Sequence, residues 1–150
     1  MKKGFSLIEL LVVVAIIGVL AGAGIVGYQG YLDGVKKDTA KNQATQLLRA
    51  LQAAEISADS GLTGQDGCGP NDTVASCLGA LGSTLESPYQ TTTMTSANFT
   101  ESCGTDGTHF STTESVRAMN NLSGQTVTLV ACDGGSPPSP VSDATASQTF

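Results

Sequence analysis

The stretch Phe5-Ser6-Leu7-Ile8-Glu9-Leu10-Leu11-Val12-Val13-Val14-Ala15-Ile16-Ile17 opens the apolar run whose reading decides the fold. The run continues through Leu32 with Glu9 as its one charge. An uncharged segment of this length can span a bilayer as a helix, and in lipid it must be helical, because its backbone has no water to bond. A carboxylate in such a segment costs roughly 2.5–3.5 kcal/mol on insertion scales. Glu9 therefore calls for a compensating partner. Before the run stands Met1-Lys2-Lys3-Gly4, a short basic leader.

Gly18, Gly22, Gly24, Gly27, Gly30 and Gly34 interrupt the second half of the run. Each lowers helix stability by about 1 kcal/mol relative to Ala, so residues 18–34 are expected to be the softest part. The pattern then turns amphipathic. Ala40, Ala44, Leu47, Leu48, Leu51, Ala54 and Ala58 recur at three- and four-residue spacing, with Lys41, Gln43, Gln46, Arg49 and Gln52 mostly between them. That is a helix with one narrow buried stripe, ending near 57–60. Continuous from Phe5, it would be about 80 Å long at 1.5 Å per residue.

From Gly61 onward Gly, Ser, Thr, Asn and Asp dominate. Thr73–Leu81 reads as a short helix or turn, and Gln90–Thr95 and Glu114–Met119 as weak strands. Gln125–Cys132 is the best strand, with Val127, Leu129 and Ala131 on one side. Asn120-Asn121-Leu122-Ser123-Gly124 reads as a hairpin loop. The Pro/Ser-rich tail 136–150 has little apolar content and predicts an irregular end. The expected organisation is a leader at 1–4, a hydrophobic membrane helix at 5–35, an amphipathic continuation at 36–60, and a globular head at 61–150. The fold class is α+β: a long helix packed by its second half on a small antiparallel sheet.

A core confined to the head is small, and small exported domains often add disulfides. Cys68, Cys77, Cys103 and Cys132 all lie there, with no C-x-x-C metal or redox spacing. Four cysteines permit three connectivities, which the sequence leaves open; Cys68–Cys77 with Cys103–Cys132 is the pairing expected. The formal net charge is −6. Beyond the leader the cations are Lys36, Lys37, Lys41, Arg49 and Arg117, against thirteen acids. That balance argues against a nucleic-acid surface, which needs clustered Lys and Arg. The cluster Lys36, Lys37, Lys41 fits a helix surface or lipid headgroups.

Other readings of the same residues fare less well. A conventional signal peptide with Ala21-Gly22-Ala23 as its cleavage site would place Glu9 inside the hydrophobic core of the signal. It would also be followed, without a break, by the amphipathic helix. Gly22-Ala23-Gly24-Ile25-Val26-Gly27 matches a dinucleotide-binding pattern, but the apolar run is too long for one strand and residues 42–50 hold no acid. Gly18-x-x-x-Gly22 and Gly30-x-x-x-Gly34 match the close-packing helix pattern. His109 is the only histidine, so no second one builds a metal site or relay; it is expected to be a surface or hydrogen-bonded side chain. Asp66, Asp72, Asp106 and Asp133 sit in turn-like contexts with oxygen ligands suited to calcium, but without an EF-hand spacing. Asn71, Asn98 and Asn121 fall in N-x-S/T triplets of the kind that arise by chance in a Thr/Ser-rich chain. No catalytic constellation or phosphate loop is evident, and an enzyme is not expected.

The segment Lys2-Lys3-Gly4-Phe5-Ser6-Leu7-Ile8-Glu9-Leu10-Leu11 resembles the class III leader of type IV pilins and type II secretion pseudopilins, most like a type IV major pilin. The likeness extends to Tyr28 and Tyr31 and covers about the first 35 residues. It implies cleavage by a membrane prepilin peptidase between Gly4 and Phe5, N-methylation of Phe5, and a role for Glu9 in subunit register. Polymerisation into a pilus would follow, from the bacterial inner membrane and its lipid to an extracellular filament. The implied partners are copies of itself, minor pilins, the peptidase and an inner-membrane assembly platform. Many members carry a proline near Val26; this chain has glycines there instead. The resemblance implies no cofactor, although major pseudopilins often hold a structural calcium. A pseudopilin is the alternative reading. A minor pilin that captures DNA or a surface is a further one, and a soluble exported protein another.

Overall fold

The structure, a computed structural model, describes residues 4–61, 67–90, 92–103, 109–135 and 138–150. Lys2, Lys3, Asp66 and Asp106 lie outside the described residues. The chain divides into two units, Met1–Val35 and Lys36–Phe150.

Helix α1 spans Leu7–Asp59. In the first unit its apolar side chains are exposed all the way round. In the second unit the 3.6-residue period takes over. Ala40, Ala44, Leu47, Leu48, Leu51 and Ala58 are buried, and Ala54 packs partly against the same core. Each leucine so buried contributes about 1.5–3 kcal/mol. Gln43 Nε2 donates to the Glu86 carbonyl at 2.8 Å, tying α1 to the loop beyond α2.

Helix α2, Val74–Leu81, starts at Thr73, whose side chain accepts from the Ser76 N–H. Its first-turn donors would be orphans in isolation. Val74 N–H donates to the Arg117 carbonyl and Ala75 N–H to the Ser115 carbonyl. Residues 114–119 are therefore not a strand. Their carbonyls serve the start of α2, with a single bridge between Thr73 and Ala118, and Met119–Asn121 forms a 3-10 turn. The expected hairpin loop at 120–124 is part of this longer connection. The expected strand at 90–95 reduces to one bridge, Glu86 to Thr93, with residue 91 outside the described residues. Gly79, inside α2, is required by a close approach: a Cβ there would stand 2.3 Å from the Ser96 backbone nitrogen.

The sheet has four strands in the order β1-β2-β3-β4. They are β1 (Phe99–Thr100), β2 (Phe110–Thr112), β3 (Thr126–Cys132) and β4 (Pro140–Thr149). The α+β class holds, but the sheet is mixed: β1 pairs parallel to β2, and the other two pairings are antiparallel. On β3 the side chains of Val127, Leu129 and Ala131 are buried as their alternation predicts. Phe99 and Phe110 face each other across β1 and β2, stacked with ring centroids 6.0 Å apart.

Strand β4 corrects the expectation of an irregular tail. Its ten residues pair with β3 from Thr126–Thr149 to Cys132–Pro140, with one register shift. An edge strand needs little apolar content when its neighbour supplies the large side chains. Here Ala144 is buried, and Val141, Ala146 and Phe150 pack partly on the core. Pro140 sits at the first strand position, where its missing N–H is tolerated. The loop before β4 is held by Asp133, whose Oδ1 accepts from the N–H groups of Gly135 and Ser139.

Disulfides join Cys68 to Cys77 and Cys103 to Cys132. The first tethers α2 to the segment preceding it. The second links the residue that follows β1 closely to the end of β3, across the short strand β2.

Candidate assembly site

Gly4, Phe5 and Ser6 precede α1 and are exposed, with Phe5 at 86%. The Gly4–Phe5 bond thus lies outside the helix. Ser6 takes the N-cap position. Its N–H donates to Glu9 Oε2 at 3.0 Å, while its carbonyl accepts from the N–H groups of Glu9 and Leu10. Ser6-x-x-Glu9 is one half of a capping box. Reading Glu9 only as a misplaced charge missed this use, although the S-x-x-E spacing signals it. The carboxylate also sits at the positive end of the helix dipole, which favours negative charge in the first turn. Part of the compensation for Glu9 therefore comes from its own chain, and Oε1 has no hydrogen bond among the described residues.

From Leu7 to Leu32 the surface is a continuous apolar cylinder. Among the described residues one helix is long and apolar enough to cross a membrane, and none of its most apolar stretch is buried. Exposed apolar surface on this scale marks a membrane or protein contact. At Gly18, Gly22, Gly24, Gly27, Gly30 and Gly34 an added Cβ would meet nothing within 4 Å. No contact within the chain requires these glycines, despite their cost to the helix. Tyr28 and Tyr31 are likewise exposed.

Of the candidate calcium ligands, the two described ones, Asp72 and Asp133, serve the structure of the head. Asp72 Oδ2 accepts from the Gly69 N–H at 2.7 Å, and Asp133 holds the loop before β4. Among the described residues no three of His, Cys, Asp and Glu cluster as metal ligands. His109 is fully buried, and its Nε2 lies 2.9 Å from Thr92 Oγ1. Its Nδ1 has no hydrogen-bond partner among the described residues, and burial pushes its pKa below the ordinary histidine value. Lys37 pairs with Asp143 of β4 at 3.5 Å, and Arg117 with Glu114.

A family model described as the prokaryotic N-terminal methylation motif matches residues 1–25. The fimbrial protein EcpC of Eikenella corrodens is 30% identical over 128 residues, covering 85% of this chain and 73% of the relative. The chain belongs to the type IV pilin family. A Pseudomonas aeruginosa fimbrial protein is 43% identical over 61 residues, or 41% of this chain. The type IV major fimbrial protein FimA of Dichelobacter nodosus is 35% identical over 83 residues, covering 55% of this chain and 49% of the relative. The match to the Pseudomonas relative spans 35% of its length. No solved structure matches this pilin-family chain significantly.

Proposed function

We propose that this chain is the structural subunit of a type IV pilus. A prepilin peptidase cuts between Gly4 and Phe5, and the new Phe5 amine is methylated. The helix of residues 5–35 then passes from membrane lipid into a bundle of identical helices. The observation that carries this reading is the run of exposed apolar side chains from Leu7 to Leu32 on a helix long enough to cross a membrane. In a bundle, the glycines lacking any Cβ contact would let neighbouring helix backbones approach closely. Lipid covers that cylinder first and other copies cover it later.

Glu9 sets subunit register in this account. Cleavage creates an amine at Phe5. At about 4 Å, in an environment of effective dielectric near 20, such an amine attracts a carboxylate by about 4 kcal/mol. That compares with the membrane cost of the carboxylate, so a neighbouring subunit's amine stabilises Glu9 at one axial offset. Further partners on this reading are minor pilins and an inner-membrane assembly platform, and the filament is extracellular. Electron microscopy of sheared filaments, with mass spectrometry of the subunit, tests the proposal. A mass that fits a chain starting at Phe5, with one added methyl group and two disulfides, supports it. A mature terminus near Gly24, or the absence of filaments containing this chain, would end it.

A further inference from the structure

Tyr28 and Tyr31 close the apolar run, and both are exposed on α1. At this spacing they share one side of the helix, about 4.5 Å apart along its axis. Between Phe5 and Tyr28 the run holds no aromatic residue. A tyrosine joins an apolar ring to a hydroxyl that seeks water. It collects where lipid tails meet headgroups, because both parts are served there.

The charges mark the same limits. Glu9 is the last charge before the interior of the run, and Asp33 is the first after it. Lys36, Lys37 and Asp38 follow closely, and Lys37 pairs with Asp143. Both signs occur there. The segment after Leu32 therefore selects headgroups and water over hydrocarbon without selecting a sign of lipid charge.

Length decides the placement. At about 1.5 Å per residue, Tyr28 stands about 28.5 Å and Tyr31 about 33 Å from Glu9 along the axis. The hydrocarbon core of a bilayer is about 30 Å thick. One setting of the helix thus puts Glu9 at one edge of that core and the two tyrosine rings at the other. A span over residues 5–24 would instead draw Glu9 about 6 Å into the hydrocarbon. It would also leave the exposed side chains of Ile25, Val26, Tyr28, Tyr31 and Leu32 beyond it. The first change takes a carboxylate out of water, and the second wets apolar surface. Both oppose that span.

We infer that Tyr28 and Tyr31 anchor the unassembled chain at the headgroup boundary of a phospholipid bilayer, with Glu9 at the opposite boundary. The inference rests on the membrane stage of the function proposed above and sets the depth of the helix in that stage. Headgroup water reaches the Glu9 carboxylate in the bilayer. That water is lost when the helix enters the bundle, where a neighbouring Phe5 amine offsets the loss.

The chain holds no tryptophan, so Ile8→Trp, Leu20→Trp, Tyr28→Trp and Tyr31→Trp each add a single fluorescent reporter. Leu20 lies about 16.5 Å from Glu9, close to the midplane of this placement. Each full-length variant is reconstituted in phosphatidylcholine vesicles brominated either near the headgroup or near the end of the acyl chains. Circular dichroism controls for helix content. Shallow bromines should quench Ile8→Trp, Tyr28→Trp and Tyr31→Trp at least about twofold more than deep ones, and Leu20→Trp the reverse. Deep quenching at residue 8, 28 or 31 would overturn the placement. So would reporters at 28 and 31 that respond to aqueous iodide but to neither bromolipid. Anchoring is tested by adding Tyr28→Leu and Tyr31→Leu to Leu20→Trp. The ratio of deep to shallow quenching should then fall about twofold, as the helix slides toward its leader end; an unchanged ratio removes the anchoring role. No quenching by lipid at any reporter would overturn the membrane stage itself. The expected depths in a chain that forms no filaments in cells would support the placement and overturn the filament reading alone.

Discussion

Leu10, Ile17 and Val26 are 63%, 60% and 73% exposed, whereas Leu47, Leu48 and Leu51 are at most 2% exposed on the same helix. The residue types are alike, and the difference lies in what the rest of the chain brings to each. In the head the helix needs a single apolar stripe, because α2 and the sheet cover one side and water wets the other. Before residue 35 the apolar side chains are exposed on every side, and on the proposed reading their cover comes from lipid or other subunits. Glycines show the same contrast. A Cβ at Gly22 would meet nothing, while one at Gly79 would collide with the Thr95–Ser96 backbone.

Four comparisons probe that contrast. The largest effect is expected from Glu9→Ala. Removing an interaction of about 3 kcal/mol per subunit contact reduces an association constant roughly a hundredfold. Filament yield should collapse while the melting temperature of the detergent-solubilised subunit stays unchanged; normal yield with unaltered subunit spacing would remove Glu9 from assembly. Next comes Leu51→Ala, which leaves a cavity among buried residues and should cost about 2–5 kcal/mol. Urea unfolding of the solubilised subunit measures it, and Leu10→Ala should leave that same transition unmoved.

Opposite signs are expected from the two glycines. Gly79→Ala forces an atom into occupied space and should destabilise the head by about 1–3 kcal/mol. Gly22→Ala should raise helix stability in micelles by up to about 1 kcal/mol, because Ala is the better helix former. Circular dichroism on heating separates them, and a shared sign would break the contrast between the two regions.

The smallest effect is the pH dependence of the head. His109 is buried and neutral, so its folded-state pKa lies below the unfolded value of 6.5. The unfolded state therefore binds more protons between those two values. The contribution of neutral His109 is fully present above pH 6.5 and is lost as pH falls from there through the folded-state pKa. A melting temperature that drops on acidification, with the drop reduced in His109→Gln, is the expected result. Equal drops in both would assign the pH dependence to other groups.

Much of this was legible along the chain. The apolar run, the stripe from Ala40 to Ala58 and the alternation of β3 are local patterns, each carrying its own period. Ser6-x-x-Glu9 was equally local, although attention to the charge hid the cap. The sheet edges were another matter. Phe99–Thr100 and Phe110–Thr112 are too short to show a period. The β4 segment, rich in Ser, Thr and Ala, carries almost no apolar signal of its own. Residues 114–119 read as a weak strand, yet the carbonyls of Ser115 and Arg117 are taken by the first turn of α2.

The sequence by itself determined which part of α1 is apolar on every side, because a long apolar run with Glu9 as its one charge and a leader motif are written in consecutive residues. It also determined the stripe by which α1 enters a core. Tertiary structure alone decided that the polar tail becomes β4, that β1 runs parallel to β2, and that the 114–119 segment caps α2. The physical reason is that an edge strand or a capping loop draws its stability from backbone bonds to a distant partner. Nothing in its own side chains records that partner.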